Sequence, residues 1–110
     1  MMKLESYEEI DNAMVKTVSL GYEDHGILTA WVFLDGAGWS QAFGGYDLRR
    51  GTEAADFVLG CLQALKVEHW EDLVGKPCRV IRQHGLLVAL GHFVEDSWYK
   101  RAKVGKGTDE

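Results

Sequence analysis

The first half of the chain carries the alternation of apolar and polar residues that is typical of β-strands. Residues 15–20 and 27–34 are rich in Val, Ile, Thr, Phe and Trp, and the stretch GYEDHG lies between them. Because glycine and paired acidic residues favour turns, the pattern predicts a β-hairpin. A third strand is predicted over the next stretch, GWSQAF, whose side chains separate into one bulky face and one nearly bare face.

Glycines give this third strand an unusual composition. Its bulky face holds Trp39, Gln41 and Phe43, and its small face holds Ser40, Ala42 and Gly44. Glycine inside a strand costs backbone entropy and offers no side chain to pack. We therefore expect a ligand or a second subunit to approach the backbone closely at the glycines of this region, Gly36, Gly38, Gly44 and Gly45. On this interpretation Gly44→Val blocks association and leaves the fold largely intact.

A helix is predicted after the residues RRG. Thr52 is the expected N-cap, and Glu53 and Asp56 complement the positive end of the helix dipole. The apolar positions recur at helical spacing on one face, namely Ala54, Phe57, Val58, Cys61, Leu62 and Leu65. We expect this face to pack on a sheet, with Phe57 and Leu62 in the core.

The rest of the chain predicts a short helical turn and a second hairpin. The turn lies in EHWEDLVG, where Trp70 and Leu73 are the expected anchors. The hairpin pairs residues 78–82 with residues 86–93 around QHG, because Gly85 is able to take the positive φ that a tight turn needs.

Together these elements predict an α+β fold, an antiparallel β-sheet of about five strands with one main helix packed on it and a short second helix. We expect a single domain over residues 1–110, with flexible ends at 1–12 and 102–110. Cys61 and Cys78 lie in apolar settings without metal-ligand spacing, so we expect buried thiols.

The net charge of -5 argues against nucleic-acid binding, which relies on a basic surface. The charge is unevenly spread, since residues 76–110 hold seven Lys and Arg against four Asp and Glu. No apolar run approaches the roughly twenty residues of a membrane span, and the acidic start does not resemble a signal peptide. These features predict a cytosolic protein without a membrane partner.

Candidate catalytic groups are few and carry no recognisable motif. The histidines, the cysteines and the acid pairs lack an activating partner at a known spacing, and EDH at residues 23–25 lacks the second histidine of a metal site. The glycines do not precede a helix, as a phosphate-binding loop requires. We therefore expect no catalytic residues, no metal and no cofactor, and interpret the aromatic residues beside bare backbone as a binding surface.

The order of these motifs resembles a family of small phage and prophage proteins. The resemblance rests on VSLGYEDHGILTAWVFLDGAGWSQAFGGYDL, GTEAADFVLGCL, VEHWEDLVGKPCRVI and ALGHFVEDSWYK, which cover roughly residues 15–100. This family is similar to the Thoeris anti-defence proteins, which act as sponges for cyclic ADP-ribose signals. The resemblance implies a homo-oligomer, a dimer or higher, in the cytoplasm of a bacterial host, that binds a small nucleotide signal without cleaving it. The short stretch DLRRGTEAAD and the histidine in LGHF depart from the family pattern.

A nucleotide ligand needs guanidinium donors for its pyrophosphate and aromatic rings for its base. Arg79 and Arg82 are three apart on a strand, so they point to opposite faces and only one serves a given pocket directly. We predict a ligand site formed by Arg79, Arg82, His92, Phe93, Trp98 and Arg101, with Trp39 and Tyr46 at its edge.

A second hypothesis is a phage-encoded inhibitor that binds a host defence complex or nuclease through an acidic N-terminal face. Such mimicry of nucleic acid requires dense carboxylates on one surface. The first 75 residues hold thirteen Asp and Glu, but these are spread along the sequence, which favours the nucleotide-binding hypothesis.

Overall fold

The protein folds into one antiparallel sheet that curls into a half-barrel around a helix. The computed structural model describes Leu4 and residues 7–101. The strands are β1 (Glu8–Tyr22), β2 (Leu28–Gly36), β3 (Trp39–Asp47), β4 (Pro77–Gln83), β5 (Leu86–His92) and β6 (Trp98–Lys100). Helix α1 (Glu53–Leu65) connects β3 to β4, and single 3-10 turns lie at Asp24–Gly26 and Trp70–Leu73. The predicted α+β class is confirmed, with six strands rather than about five.

Strand β1 is the centre of the sheet, whose strand order is β3-β2-β1-β4-β5-β6. Its later residues pair with β2, and its first residues, from Glu8 to Met14, pair with β4. The expectation of a flexible end over residues 1–12 is therefore wrong for residues 8–12, because they gain backbone hydrogen bonds to β4 and Ile10 packs near Ile81. The rest of that predicted end lies outside the described residues, except for Leu4 and Tyr7. The other predicted flexible end, at 102–110, also lies outside them.

The curl brings the two edge strands close together. Register shifts leave one extra residue in each of β1, β3 and β5, namely Lys16, Gly45 and Val88, and such β-bulges bend a strand. Across the opening, the rings of Phe43 in β3 and Tyr99 in β6 lie 6.0 Å apart. Nearby, Nε2 of Gln41 donates a hydrogen bond of 3.3 Å to the carbonyl oxygen of Gly85. The sheet thus almost closes, and a gap remains between β3 and the β5–β6 pair.

Helix α1 packs inside the curl with the predicted apolar face inward. Phe57 is fully buried, and its ring centre lies 5.6 to 6.0 Å from four other rings, those of Phe43, Tyr46, Trp70 and Tyr99. Leu62 is only half-buried at the margin of this core. Thr52 takes the N-cap position, but its side chain makes no capping hydrogen bond.

The glycines provide close approach, but to aromatic rings of the same chain. A β-carbon built at Gly44 would lie 2.5 Å from the Phe57 ring and 2.8 Å from the carbonyl oxygen of Ala30. The same conflict arises in four further glycine–ring pairs: Gly36 with Trp39, Gly45 with Trp31, Gly60 with Tyr99, and Gly91 with Trp98. Gly38 has open space and a φ of +78° in the β2–β3 turn. The expectation that a ligand or a subunit fills the space at Gly36, Gly44 and Gly45 is therefore wrong for their β-carbon positions, because the chain's own rings occupy them.

The second hairpin and its neighbouring turn form as predicted. His84 and Gly85 both have positive φ, 52° and 83°, as a two-residue type I′ turn requires. Leu73 is fully buried and Trp70 packs on Phe57, so both act as anchors. Strand β6 was not predicted, since three residues are too few to establish a period-two pattern.

We expect Gly44→Ala to lower the free energy of unfolding by at least about 2 kcal/mol, because the new methyl group meets Phe57 at a backbone φ of +112°. Gly21→Ala is the matched control, since no atom lies within 4 Å of its β-carbon position and its φ is not positive. Urea unfolding of the two variants measures the difference. Equal midpoints would show that the glycine–ring contact does not constrain the fold.

Candidate functional site

The structure distributes the eight predicted site residues over three places. Arg79, His92, Phe93 and Trp98 lie at or near the β5–β6 loop, and Arg79 and Trp98 occupy the outer face of the sheet. Arg82 and Trp39 lie together on the inner face. Arg101 and Tyr46 line a cavity at the gap between the sheet edges. As their spacing predicts, Arg79 and Arg82 point to opposite faces, so the eight residues do not form one pocket.

Arg79 is held by the protein itself. Its Nε donates a 2.9 Å hydrogen bond to the carbonyl oxygen of His92, and its Nη2 donates another of 2.9 Å to that of Glu95. The guanidinium carbon also lies 5.0 Å from the centre of the Trp98 ring. Since these contacts hold the fork-shaped group between the loop and the ring, Arg79 acts as a clamp on the β5–β6 loop.

His92 organises the same loop from the inside. Its Nδ1 accepts hydrogen bonds of 3.1 Å from the backbone N–H groups of both Val94 and Glu95. The loop presents Phe93 and Val94 to solvent, with 43% and 77% of their surface exposed. This geometry gives His92 a structural role, and it leaves Phe93 partly exposed at the loop surface.

Arg82 stands over Trp39 at the inner end of the half-barrel. Its guanidinium carbon lies 5.0 Å from the Trp39 ring centre, and its Nη2 lies 2.6 Å from Oδ2 of Asp11. Glu9 is 3.9 Å away on the exposed side. The Asp11 carboxylate at this distance compensates the positive charge of Arg82, so Arg82 attracts a phosphate less strongly.

The remaining predicted residues meet at a cavity of about 240 Å³ in the gap of the half-barrel. It is lined by Gln41, Ala42, Phe43, Gly44, Tyr46, Leu86, Leu87 and Arg101. Arg101 reaches this place because its backbone N–H bonds the carbonyl oxygen of Val88 at 2.9 Å and so extends the β5–β6 pairing. Within the described residues, no carboxylate forms an ion pair with the Arg101 guanidinium. The cavity therefore combines a cation with aromatic and apolar surface.

One polar side chain in the cavity wall, Gln41, and one behind it, Tyr99, differ in their hydrogen bonding and burial. Oε1 of Gln41 is buried without a hydrogen-bond partner among the described residues, while its Nε2 is held by Gly85. Burial, and then the neighbouring Tyr46, raises the pKa of Tyr99 behind the wall, so its phenol stays neutral. An unpaired buried acceptor is uncommon in proteins, and this one belongs to a residue of the cavity wall.

The cysteines are buried thiols, as predicted. Cys61 and Cys78 are both fully buried and free. Burial raises the pKa of Cys78 to about 12, and burial together with the nearby Cys78 raises the pKa of Cys61. Neither thiol is positioned as a nucleophile, because the reactive form is the thiolate. Among the residues with described positions, no cluster of three His, Cys, Asp or Glu side chains is suited to hold a metal ion.

Several acidic side chains pair within the molecule. Asp47 bonds Nε and Nη2 of Arg49 at 3.1 Å and lies 3.5 Å from Arg50, and the Arg49 hydrogen bonds lower the pKa of its carboxyl. Asp11 pairs with Arg82 as described above. Such pairing weakens the hypothesis of an acidic face that mimics nucleic acid.

Comparisons with protein-family models, with curated proteins and with solved structures found no match for this chain. In the described part of the chain, no helix has the length and apolar character needed to cross a membrane. The assignment of a site therefore depends on the geometry above. Sequence reasoning missed Gln41, Phe43, Leu86 and Leu87 as cavity residues, since only the curl of the sheet brings β3 and β5 together.

We expect Arg79→Gln to destabilise the fold by about 1 to 3 kcal/mol, because two charge-assisted hydrogen bonds to loop carbonyl groups are lost. Arg50→Gln, at a side chain that is 84% exposed, is the control and should change stability by less than about 0.5 kcal/mol. Thermal or urea unfolding measures both. Parent-like stability of Arg79→Gln would mean that Arg79 is free for another role.

Proposed function

We propose that the protein binds a small nucleotide signal of the cyclic ADP-ribose type in the gap cavity and sequesters it without cleaving it, in the cytoplasm of a bacterial host. The observation that carries this proposal is the position of Arg101. Of the three predicted arginines, it alone has no carboxylate or carbonyl partner for its guanidinium within the described residues, and it lines a cavity with Phe43 and Tyr46. Arg79 and Arg82 are engaged elsewhere.

Each part of the cavity has a chemical counterpart in such a ligand. The Arg101 guanidinium suits a phosphate, which accepts two parallel N–H bonds from its fork. The half-buried ring of Tyr46 suits a flat base. Leu86 and Leu87 supply apolar surface on the opposite wall.

Sequestration rather than turnover is proposed because neither thiol is available as a nucleophile. Cys61 lies on the inner face of α1 and Cys78 on the inner face of β4, and burial raises the pKa of both. A ligand held by Arg101 and Tyr46 is therefore expected to leave chemically intact.

The proposal includes a homo-oligomer whose second copy completes the site. The cavity of about 240 Å³ is smaller than the ~300–1,000 Å³ that is usual for small-molecule pockets, so part of a nucleotide would extend beyond it. Exposed apolar side chains at the end of the β1–β2 hairpin are available for such a contact: Leu20, Tyr22 and Ile27. Sedimentation at micromolar concentration tests this component. A species of twice 12.3 kDa or more supports it, and a monomer with and without nucleotide would remove it.

The binding proposal is tested with cyclic ADP-ribose, using ADP-ribose and AMP as comparison ligands. The parent protein should retain cyclic ADP-ribose during ultrafiltration and release it unchanged on heating. Arg101→Gln should weaken binding about tenfold or more, since a charge-assisted contact is worth about 1.5 to 3 kcal/mol. Arg50→Gln is the matched control, because that arginine is exposed outside the cavity.

Three outcomes would contradict this proposal. Equal binding by Arg101→Gln and the parent would place the site elsewhere. A cleaved nucleotide after heating would make the protein an enzyme. Failure to retain any of the three nucleotides would exclude this ligand class.

A further inference from the structure

The outer face of the β1–β2–β3 half of the sheet carries two aromatic rings on an otherwise small-residue surface. Trp31 and Phe33 on β2 stack at a centroid distance of 6.2 Å and an interplanar angle of 25°. A shallow cavity of about 410 Å³ lies over them, lined also by Ser19, Glu23 and Ala42. The small side chains of the neighbouring strands leave the two rings as the main apolar feature of this face.

A carboxylate is fixed at the edge of the Trp31 ring. The indole Nε1 of Trp31 donates a 2.6 Å hydrogen bond to Oε2 of Glu23, and the Thr29 hydroxyl donates to the same oxygen. These two donors, Thr29 first, lower the pKa of the Glu23 carboxyl, which therefore carries its charge at neutral pH. Both donors bond Oε2 of Glu23, so Oε1 accepts a hydrogen bond from neither Thr29 nor Trp31.

A similar arrangement occurs at Trp98, where an arginine stands over the ring while its N–H groups bond the carbonyl oxygens of His92 and Glu95. At Trp98 the indole Nε1 donates a 2.8 Å hydrogen bond to Oδ1 of Asp96. The ring lies against the bare backbone of Gly91, and the guanidinium of Arg79 stands over it at 5.0 Å. A glycine below, a carboxylate at the indole N–H and an arginine on the ring thus form one unit.

The Trp31 unit has the first two of these parts and lacks the third. The ring lies against Gly45, whose β-carbon would be 2.5 Å from it, and Glu23 holds the indole N–H. The cation–ring pairs of the described residues are Arg79 with Trp98 and Arg82 with Trp39. Lys16 lines the adjoining cavity, together with Phe33 and Asp35, and not the cavity over Trp31.

We propose that Trp31, Phe33 and Glu23 form a docking site for an arginine side chain that a protein partner presents. A guanidinium is flat and stacks on an aromatic ring while its in-plane N–H groups bond a carboxylate, which is the combination that this surface offers. The site is open and shallow, so it suits a side chain whose own protein supplies the rest of the interface. This inference does not rest on the nucleotide site in the gap, because Trp31, Phe33 and Glu23 do not line that cavity, although Ala42 borders both.

The probe for this site is N-acetyl-L-arginine amide, and the neutral isostere N-acetyl-L-citrulline amide is its control. The readout is the indole N–H signal of Trp31 in a ¹H–¹⁵N spectrum, assigned by its loss in Trp31→Phe. We expect a saturable shift with the arginine amide, half-complete on the order of 10 mM, and none with the citrulline amide. The Trp98 signal should not move, because Arg79 already covers that ring.

Glu23→Gln separates the charge of the site from its structure, since an amide oxygen still accepts from Thr29 and Trp31. It should weaken arginine-amide binding threefold or more, whereas Glu68→Gln, at an exposed acid outside the site, should not. Equal shifts with the two amides, or parent-like binding by Glu23→Gln, would overturn the proposal. Tetramethylammonium binding tenfold more tightly than the arginine amide would also overturn it, because the face would then bind a small cation. A dimer that Trp31→Ser converts to a monomer would overturn it too, because the face would then bind a second copy of the chain.

Discussion

The contact between the Phe57 ring and the bare backbone of Gly44 is the constraint on which the rest of this structure depends. It allows α1 to sit deep inside the curled sheet, where Phe57 meets rings from β3, β6 and the Trp70 turn. Burying one such side chain is worth about 1.5 to 3 kcal/mol, and each well-placed aromatic pair adds about 0.5 to 1.5 kcal/mol. Together these contacts are comparable in size to the net stability of a small domain, which is about 5 to 15 kcal/mol.

The curl around this helix also creates the candidate site. With α1 inside, β3 and the β5–β6 pair approach each other without pairing, and the cavity between them gathers Gln41 from one side and Leu87 and Arg101 from the other. Arg79 and Arg82 have the same side chain, but their guanidinium groups already contact other groups of the protein. What distinguishes Arg101 is therefore its surroundings and not its residue type.

Much of the fold follows from the sequence because local patterns determine it. The period-two alternation of residues 27–34, the apolar face of α1 and the positive φ at Gly85 each depend on neighbours in the chain. The start of β1 does not follow from local sequence. Its residues Glu8 and Glu9 resemble a solvated chain end, and they form a strand only because they pair with β4. Likewise, the glycines indicate that something approaches closely, but the identity of the approaching ring is a tertiary fact.

The division of the predicted site residues has the same physical origin. Sequence spacing places Arg79 and Arg82 on opposite faces, but it does not reveal that His92 and Glu95 carbonyl groups accept from Arg79 or that Asp11 pairs with Arg82. Tyr46 and Arg101 are 55 positions apart in the chain, and only the closure of the sheet brings them to one cavity.

Chemical-shift mapping with cyclic ADP-ribose tests the central claim most directly, since it locates a ligand without altering the protein. The account predicts that backbone amide signals shift along residues 41–46, at Leu86 and Leu87, and at Arg101, while those of residues 92–98 stay in place. Shifts concentrated at the β5–β6 loop around Arg79 and Trp98, or no shifts at millimolar nucleotide, would contradict the assignment of the gap cavity as the binding site.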